Sequence, residues 1–266
     1  MVLSQSKESI DFFTQQQLTT QLLNLGIVKG DVIEVHASLK SIGYILGGAQ
    51  TLLDAILDVI GLEGTLVMAA QSWGNSEPAF FQNPPIEVEK FQTLRDSHPA
   101  YRQKQEDFRY MGELVKAMQL RPNSYVSNHP NYGFIAIGKY AKWLTQSHAL
   151  SDGLGMNSPL GKCLELRSKI VLIGVDYDRA TGLHLGEHLS GYRPYQLQGA
   201  RIFDKGVSLW TRYLDIDYDS DDFLQVGKLL EEKELVRFGS LGRAKVKLFK
   251  LQESTTITQA YFEALK

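Results

Sequence analysis

Four consecutive aliphatic residues, Ile170-Val171-Leu172-Ile173, constrain this chain more than any other stretch. Such a run, closed by Gly174, reads as a buried strand. It feeds a polar loop with Asp176, Asp178 and Thr181, then a helical segment bearing His184, Glu187 and His188 that Gly191 stops. Open α/β sheets place chemistry at such a junction, because the strand's carboxyl end holds the loop rigidly. With Thr181 as helix cap, His184 takes the third position and Glu187 follows one turn later on the same face. There a carboxylate can orient an imidazole and strengthen it as a base.

Two other readings fit the same helix. His184–His188 matches H-x-x-E-H, in which two histidines at i, i+4 hold zinc. A third ligand is missing, however, and Gly186 in the middle costs a helix about 1 kcal/mol against alanine. No metal is therefore expected. The blander alternative is a structural His–Glu pair on a surface helix.

With 266 residues the chain can bury a sizeable core, and 43% hydrophobic with 22% charged content is that of a soluble globular protein. A net charge of −2 gives no basic footprint, so nucleic acid is not an expected partner. Cys163 is the single cysteine, which excludes an intramolecular disulfide and suits a reducing cytoplasm. Met1–Phe13 lacks a long apolar core, and no run nears the roughly 18 apolar residues of a membrane span. The expectation is a cytoplasmic protein with no membrane partner. The oligomeric state is not legible.

Along the chain, Met1–Phe13 reads as an N-terminal arm. Thr14 to Gln17 forms a capping box for a helix whose Leu18, Leu22 and Leu25 share a face until Gly26. Asp31–Ala37 is a strand, Gly43–Gln50 a glycine loop, Thr51–Ile60 a helix and Gly64–Ala70 a second strand, a parallel βαβ unit. From 71 to 107 periodicity fails among Pro78, Pro84, Pro85 and Pro99, as in a long lid or binding loop beside an acceptor site. Phe108–Met118 follows as an amphipathic helix. Ser124–Ser127 and Phe134–Ile137 read as short strands, Gly138–His148 and Lys162–Arg167 as helices, and Leu154–Gly161 as a loop between them. Alternation over Arg201–Ile216 and Lys245–Leu251 predicts an antiparallel extension, with an acidic loop (Asp215, Asp217, Asp219, Asp221, Asp222) and a helix, Phe223–Lys233, between. No linker or repeat interrupts residues 1–266, so one domain is expected.

The loop after the first strand carries neither G-x-x-x-x-G-K-[ST] nor G-x-G-x-x-G, which leaves nucleotide hydrolysis and dinucleotide binding unsupported. Its glycines still allow backbone amides to approach an anion at the following helix, though a plain strand-to-helix turn looks the same. The acidic loop is an ordinary solvated face unless a cationic ligand uses it. Cys163 reads as a small buried side chain rather than a nucleophile.

Taken together, several segments resemble the aminoglycoside 3-N-acetyltransferase family. They are VHASLKSIGYILGGAQTLLDAILDVIGLEGTLVM at 35–68, RYMGELVKAM at 109–118, SNHPNYGFIAIG at 127–138, SPLGKCLEL at 158–166, LIGVDYDRATGLHLGEHL at 172–189 and DIDYDSDDF at 215–223. The resemblance implies a single-domain, three-layer α/β/α fold around a central mixed, largely parallel sheet with an antiparallel C-terminal extension. It also implies acetyl-CoA as donor and an aminoglycoside-like or other cationic small-molecule amine as acceptor. His184 and Glu187 fall on the family's LH-x-x-E pair, and Asp178 and Thr181 on its D-x-x-T. His36, Ser38, Leu39, Ser41, Ile42 and Gly43, the turn Gly47-Gly48-Ala49, and Ser158-Pro159 fall on segments associated with coenzyme A.

Departures bear on the acceptor. Arg102 stands where an acidic residue is expected, Val126 replaces the arginine of R-S-x-H-P, Gly133 a serine, and Asn157 a glycine. These changes predict a poor match to the common aminoglycosides. The chemistry itself asks for few parts. An ammonium acceptor must lose a proton before attacking a thioester, which an imidazole of ordinary pKa about 6.5 can take. The oxyanion needs a donor, either a loop N–H or the Thr181 hydroxyl. Direct transfer needs no protein nucleophile. The alternative, from another class, is a catalytically silent relative that binds acyl-CoA or a polyamine.

Overall fold

A computed structural model of the chain describes residues 11–108 and 110–266. Residues 1–10 of the expected N-terminal arm lie outside the described residues. The chain begins with β1 (Phe12–Phe13), α1 (Gln15–Leu25), β2 (Val32–Ala37), α2 (Leu39–Ile42), β3 (Tyr44–Ile45), α3 (Gly48–Ile60) and β4 (Thr65–Ala69). The capping box is present: Gln17 N–H donates to the Thr14 hydroxyl, the Thr14 N–H donates to the Gln17 side chain, and Gly26 ends α1 in left-handed geometry. The end of the arm is not loose, because β1 pairs in parallel with β3 and Phe13 packs on the core.

Helix α3 starts three residues before the expected Thr51. Gly47 adopts φ +86°, and the Thr51 hydroxyl donates to Leu46 O at 2.6 Å instead of capping the helix. The excursion over 71–107 holds short 3-10 turns and α4 (Phe91–Ser97). Gly112 at φ +83° delays α5 to Glu113–Gln119, so Phe108 is buried from a loop. There follow β5 (Tyr125–Val126), β6 (Phe134–Gly138), α6 (Ala141–Thr145), α7 (Pro159–Glu165) and β7 (Lys169–Ile173). Next come α8 (His184–Ser190), β8 (Tyr195–Asp204), β9 (Val207–Ile216), α9 (Phe223–Glu232), β10 (Arg237–Leu241), β11 (Ala244–Lys250) and α10 (Leu251–Glu263).

The main sheet has seven strands in the order β10-β11-β7-β2-β4-β6-β5. Its centre, β7-β2-β4, is parallel, as the βαβ reading requires, and both flanks are antiparallel. The two segments expected as one extension are separate in the fold. β8 and β9 form their own two-stranded hairpin, whereas β10 and β11 extend the main sheet beyond β7.

Strand alternation explains the uninterrupted aliphatic run. Val171 and Ile173 join a core layer with α1, α3 and α5, while Ile170 and Leu172 join a second layer with α7, α8, α9 and α10. A strand covered on both faces needs apolar residues at every position. Helices therefore sandwich the sheet, an α/β/α arrangement. Among the described residues, no helix is long and apolar enough to cross a membrane.

Candidate active site

The carboxyl ends of β2, β4 and β7 face the same way, and the loop after β7 closes over them. Asp176 accepts from Tyr177 N–H to open a 3-10 turn, and a second turn, Thr181–Leu183, runs directly into α8. Thr181 is therefore not a side-chain cap, and His184 is the first residue of α8 rather than the third. The i, i+3 geometry survives this shift: His184 Nδ1 lies 2.5 Å from Glu187 Oε2.

Glu187 is fully buried, with Oε1 receiving Arg193 Nε at 2.6 Å and the Asp219 N–H at 3.2 Å. Arg193 also donates to Asp219 O and Asp222 Oδ2. Two carboxylates of the acidic loop, Asp219 and Asp222, are thus counter-charges to Arg193. Asp215 is buried outright and accepts from the Gly153 and Ile216 N–H groups. Burial pushes its carboxyl above the usual range, with those N–H bonds opposing the rise.

The His184 ring, 13% exposed, packs between Tyr218 (5.4 Å between centroids) and Phe223 (4.6 Å). Its Nε2 has no partner among the described residues. The Tyr218 hydroxyl meets His188 Nδ1 at 2.8 Å and accepts the Leu154 N–H. Burial first, and Asp215 second, push the phenol well above its ordinary range, so it stays a neutral donor. His188 turns its other nitrogen to Asp152, 3.2 Å away. The two histidines of H-x-x-E-H thus have separate partners. Among the described residues no cluster of three or more His, Cys, Asp or Glu could hold a metal ion. Gly186 has a packing reason: a Cβ there would lie 2.5 Å from Thr255 O, where α10 crosses α8.

Tyr218 also lines a cleft of about 680 Å³ formed with Trp73, Phe80, Tyr132, Gln198 and Asp217. A second cavity of about 270 Å³ is bordered by His36, Met68, Arg179 and Thr181, and Glu106 and Asp107 line a third. Tyr110 borders all three, so they form one trough over the strand ends. Another groove, about 600 Å³ beside Arg167, Lys169, Lys250 and Ile257, sits at the opposite strand ends and has no histidine in its lining.

The expected site residues divide. Thr181 and His36 border the 270 Å³ cavity, and His184 follows Thr181 by three residues of chain. Asp178 instead pairs with Arg179 at the surface, and Glu187 holds His184. Ser38 N–H donates to Ile173 O and its carbonyl accepts from the Ser41 hydroxyl, which locks the loop against β7. Ile42 is buried in the core, as are Ser158 and Pro159 in the opposite layer, so none of the three presents a surface to a ligand. Ser158 instead caps α7, accepting the Leu160 N–H. Arg102 lines none of these three cavities; its guanidinium stacks 5.2 Å over the Phe203 ring on the hairpin.

The Gly43–Ala49 loop leaves the start of α3 open to an anion. The first turn of α3 has no side-chain cap, a Cβ on Gly48 would meet nothing within 4 Å, and Lys40 is exposed nearby in sequence. Unpaired N–H groups at such a terminus receive phosphate oxygens. Sequence reasoning missed Glu34, Arg193, Tyr218 and Phe223. Glu34 carried a visible signal, a charge inside an apolar strand. The others are brought in by the tertiary fold.

A sequence profile described as aminoglycoside 3-N-acetyltransferase matches residues 35–263. The chain is 37% identical over 250 residues to the SPbeta prophage-derived aminoglycoside N(3')-acetyltransferase-like protein YokD of Bacillus subtilis, covering 94% of this chain and 92% of that protein. Against aminoglycoside N(3)-acetyltransferase IX of Micromonospora chalcea, identity is 32% over 213 residues, 79% of this chain and 75% of the relative. The crystal structure of YokD superposes with a TM-score of 0.89, covering 94% and 99% of the two chains at 36% identity. That of AAC-IIIb in a binary complex with CoASH superposes at 0.86, covering 96% and 98% at 25% identity.

Proposed function

The chain belongs to the aminoglycoside 3-N-acetyltransferase family, and from that premise and the site's geometry we propose that it acetylates an amine of an aminoglycoside or similar cationic compound, using acetyl-CoA. One observation carries the reading: a buried carboxylate fixes His184 through Nδ1, the ring packs against Tyr218 in the wall of a large cleft, and Nε2 has no partner among the described residues. Glu187 selects the tautomer in which Nδ1 bears the proton. Nε2 then takes the proton from the attacking amine as general base. The Thr181 hydroxyl, on a residue that lines the adjoining cavity, is the donor for the oxyanion.

The donor substrate supplies an activated acetyl thioester. The Gly47-Gly48-Ala49 terminus of α3 receives its phosphates, and the 270 Å³ cavity receives the end of its pantetheine arm. The acceptor enters the 680 Å³ cleft, where the 71–107 excursion forms one wall and Asp217 supplies negative potential. N-acetylation removes a positive charge from the amine, so product is held less firmly. With Arg102 stacked away and Glu106 and Asp107 at the adjoining cavity, an acidic acceptor wall is retained. Neither a protein nucleophile nor a metal is required, and residues 1–266 act as one cytoplasmic catalytic unit.

The test is thiol release from acetyl-CoA with a panel of aminoglycosides, polyamines and simple amines, with products identified by mass. Stoichiometric N-acetylation of a cationic amine supports the reading. Tight coenzyme A binding without acetyl transfer to any amine favours the silent binding protein instead.

A further inference from the structure

One histidine–carboxylate pair serves the reaction proposed for His184, and a second stands at the end of β2. Glu34 is fully buried in mid-strand, on the face that Val32 shares with Ile170 and Leu172. A carboxylate there is costly to bury unless it is partnered. Oε1 lies 2.9 Å from His36 Nε2, and Oε2 has no hydrogen-bond partner among the described residues. The Thr181–Leu183 turn is pressed onto this carboxylate, since a Cβ on Gly182 would lie 2.5 Å from Oε2.

Nε2 of His36 also lies 3.3 Å from the Thr181 N–H. One nitrogen cannot donate to Glu34 and accept from Thr181 at once. The shorter, charge-assisted contact assigns the proton to Nε2. Nδ1 is then the nitrogen through which the ring exchanges protons. It has no partner among the described residues, and His36 borders the 270 Å³ cavity together with Thr181. Three residues after Thr181 stands His184, so the two pairs flank one turn of chain.

Resting on the acetyl-transfer reading, we propose that His36 is the general acid of the reaction, delivering its Nδ1 proton to the sulfur of the departing coenzyme A while Glu34 balances the ring's charge. The steps balance. The amine nitrogen forms a C–N bond to the acetyl carbon, and its proton passes to His184 Nε2. The C–S bond breaks, its electron pair goes to sulfur, and the Nδ1 proton of His36 joins it. Amide and free thiol leave. His184 is left protonated and His36 neutral, and exchange with solvent resets both. An alkyl thiol has a pKa of about 8.5, so at neutral pH the departing thiolate ends protonated, and a proton delivered as the C–S bond breaks assists its departure.

The experiment compares wild type, His36→Gln and Glu34→Gln by three readouts: calorimetric coenzyme A binding, ultraviolet titration of the bound coenzyme's thiol to thiolate, and turnover. In His36→Gln, the expected result is coenzyme A affinity within about threefold of wild type and turnover lower by roughly 10²–10⁴-fold. The bound thiol should ionise at higher pH than in wild type, having lost Nδ1 as its partner. Glu34→Gln should move both quantities in the same direction by less. Identical thiol titrations in wild type and His36→Gln overturn the assignment, as does loss of coenzyme A binding, which would make His36 a binding group. Should His36→Gln fail to fold, the nearly isosteric Glu34→Gln carries the test by the same readouts. A wild type that releases no thiol with any amine sinks the transferase reading, while the thiol titration still decides whether His36 meets the sulfur.

Discussion

Glu187 ties the orientation of the base to the stability of the site, because one buried carboxylate serves both His184 and Arg193. Glu187→Gln keeps the shape but leaves a half-buried guanidinium short of its counter-charge. Breaking such a pair costs about 3 kcal/mol. Equilibrium denaturation of the variant should show a loss near that size together with reduced turnover, and full stability with reduced turnover would mean the Arg193 contact contributes nothing to the fold. Asp217 offers a gentler probe at the cleft wall. Asp217→Asn should raise KM for a polycationic amine and leave kcat nearly unchanged, with the difference shrinking as salt screens it. An unchanged KM at low salt would take Asp217 out of acceptor binding.

At the scale of elements, α8 is held by α10 through the absence of a side chain at position 186. Gly186→Ala would force a Cβ to 2.5 Å from Thr255 O, so the helices must part. Overpacking of this kind costs about 1–3 kcal/mol, and it should lower turnover more than thermal stability because His184 and Glu187 ride on α8. A fully active Gly186→Ala would show that α8 tolerates displacement. At the start of α3, Gly48→Asp places a carboxylate where phosphates are expected, in a left-handed conformation aspartate tolerates. Its coenzyme A Kd should rise about tenfold, near 1.4 kcal/mol, and an unchanged Kd would move the donor site elsewhere.

Elements legible in the sequence were those whose cause is local. The Thr14–Gln17 capping box, the twice-buried Ile170–Ile173 strand and the i, i+3 pair on α8 each depend on a few adjacent residues. Boundaries failed where a glycine conformation or a turn intervened, as at Gly112 and at the two 3-10 turns that separate Thr181 from its expected capping role. The β8–β9 hairpin and β11 looked alike by alternation, and only sheet pairing separates them. Tyr218 reaches the site from a loop thirty residues beyond His188, and Arg193 folds back onto Glu187 from the turn after α8, neither of which periodicity records. Ser158 shows the converse: a residue falling on an expected donor segment is consumed by capping its own helix.

For the whole molecule, two buried histidines set a pH limit. His129 accepts the Asn131 and Tyr132 N–H groups, and burial lowers its pKa from the ordinary 6.5 to about 4. His148, 4.6 Å away between ring centroids, is also lowered, by burial first and by His129 second. The unfolded chain therefore binds more protons than the folded one between about pH 6.5 and 4. Stability is intact above that window and falls with pH through it, by as much as about 3 kcal/mol for His129. Denaturant midpoints should drop from pH 7 to pH 5, with a shallower slope in His129→Asn, and a flat wild-type profile would contradict the assignment.

The claim on which the reading turns is that His184 removes the acceptor's proton, and His184→Ala tests it when turnover, melting temperature and coenzyme A affinity are measured on one preparation. The prediction is turnover down by roughly 10²–10⁴-fold with melting temperature and coenzyme A affinity near those of wild type. A well-folded His184→Ala protein that still acetylates its amine at the wild-type rate would contradict it.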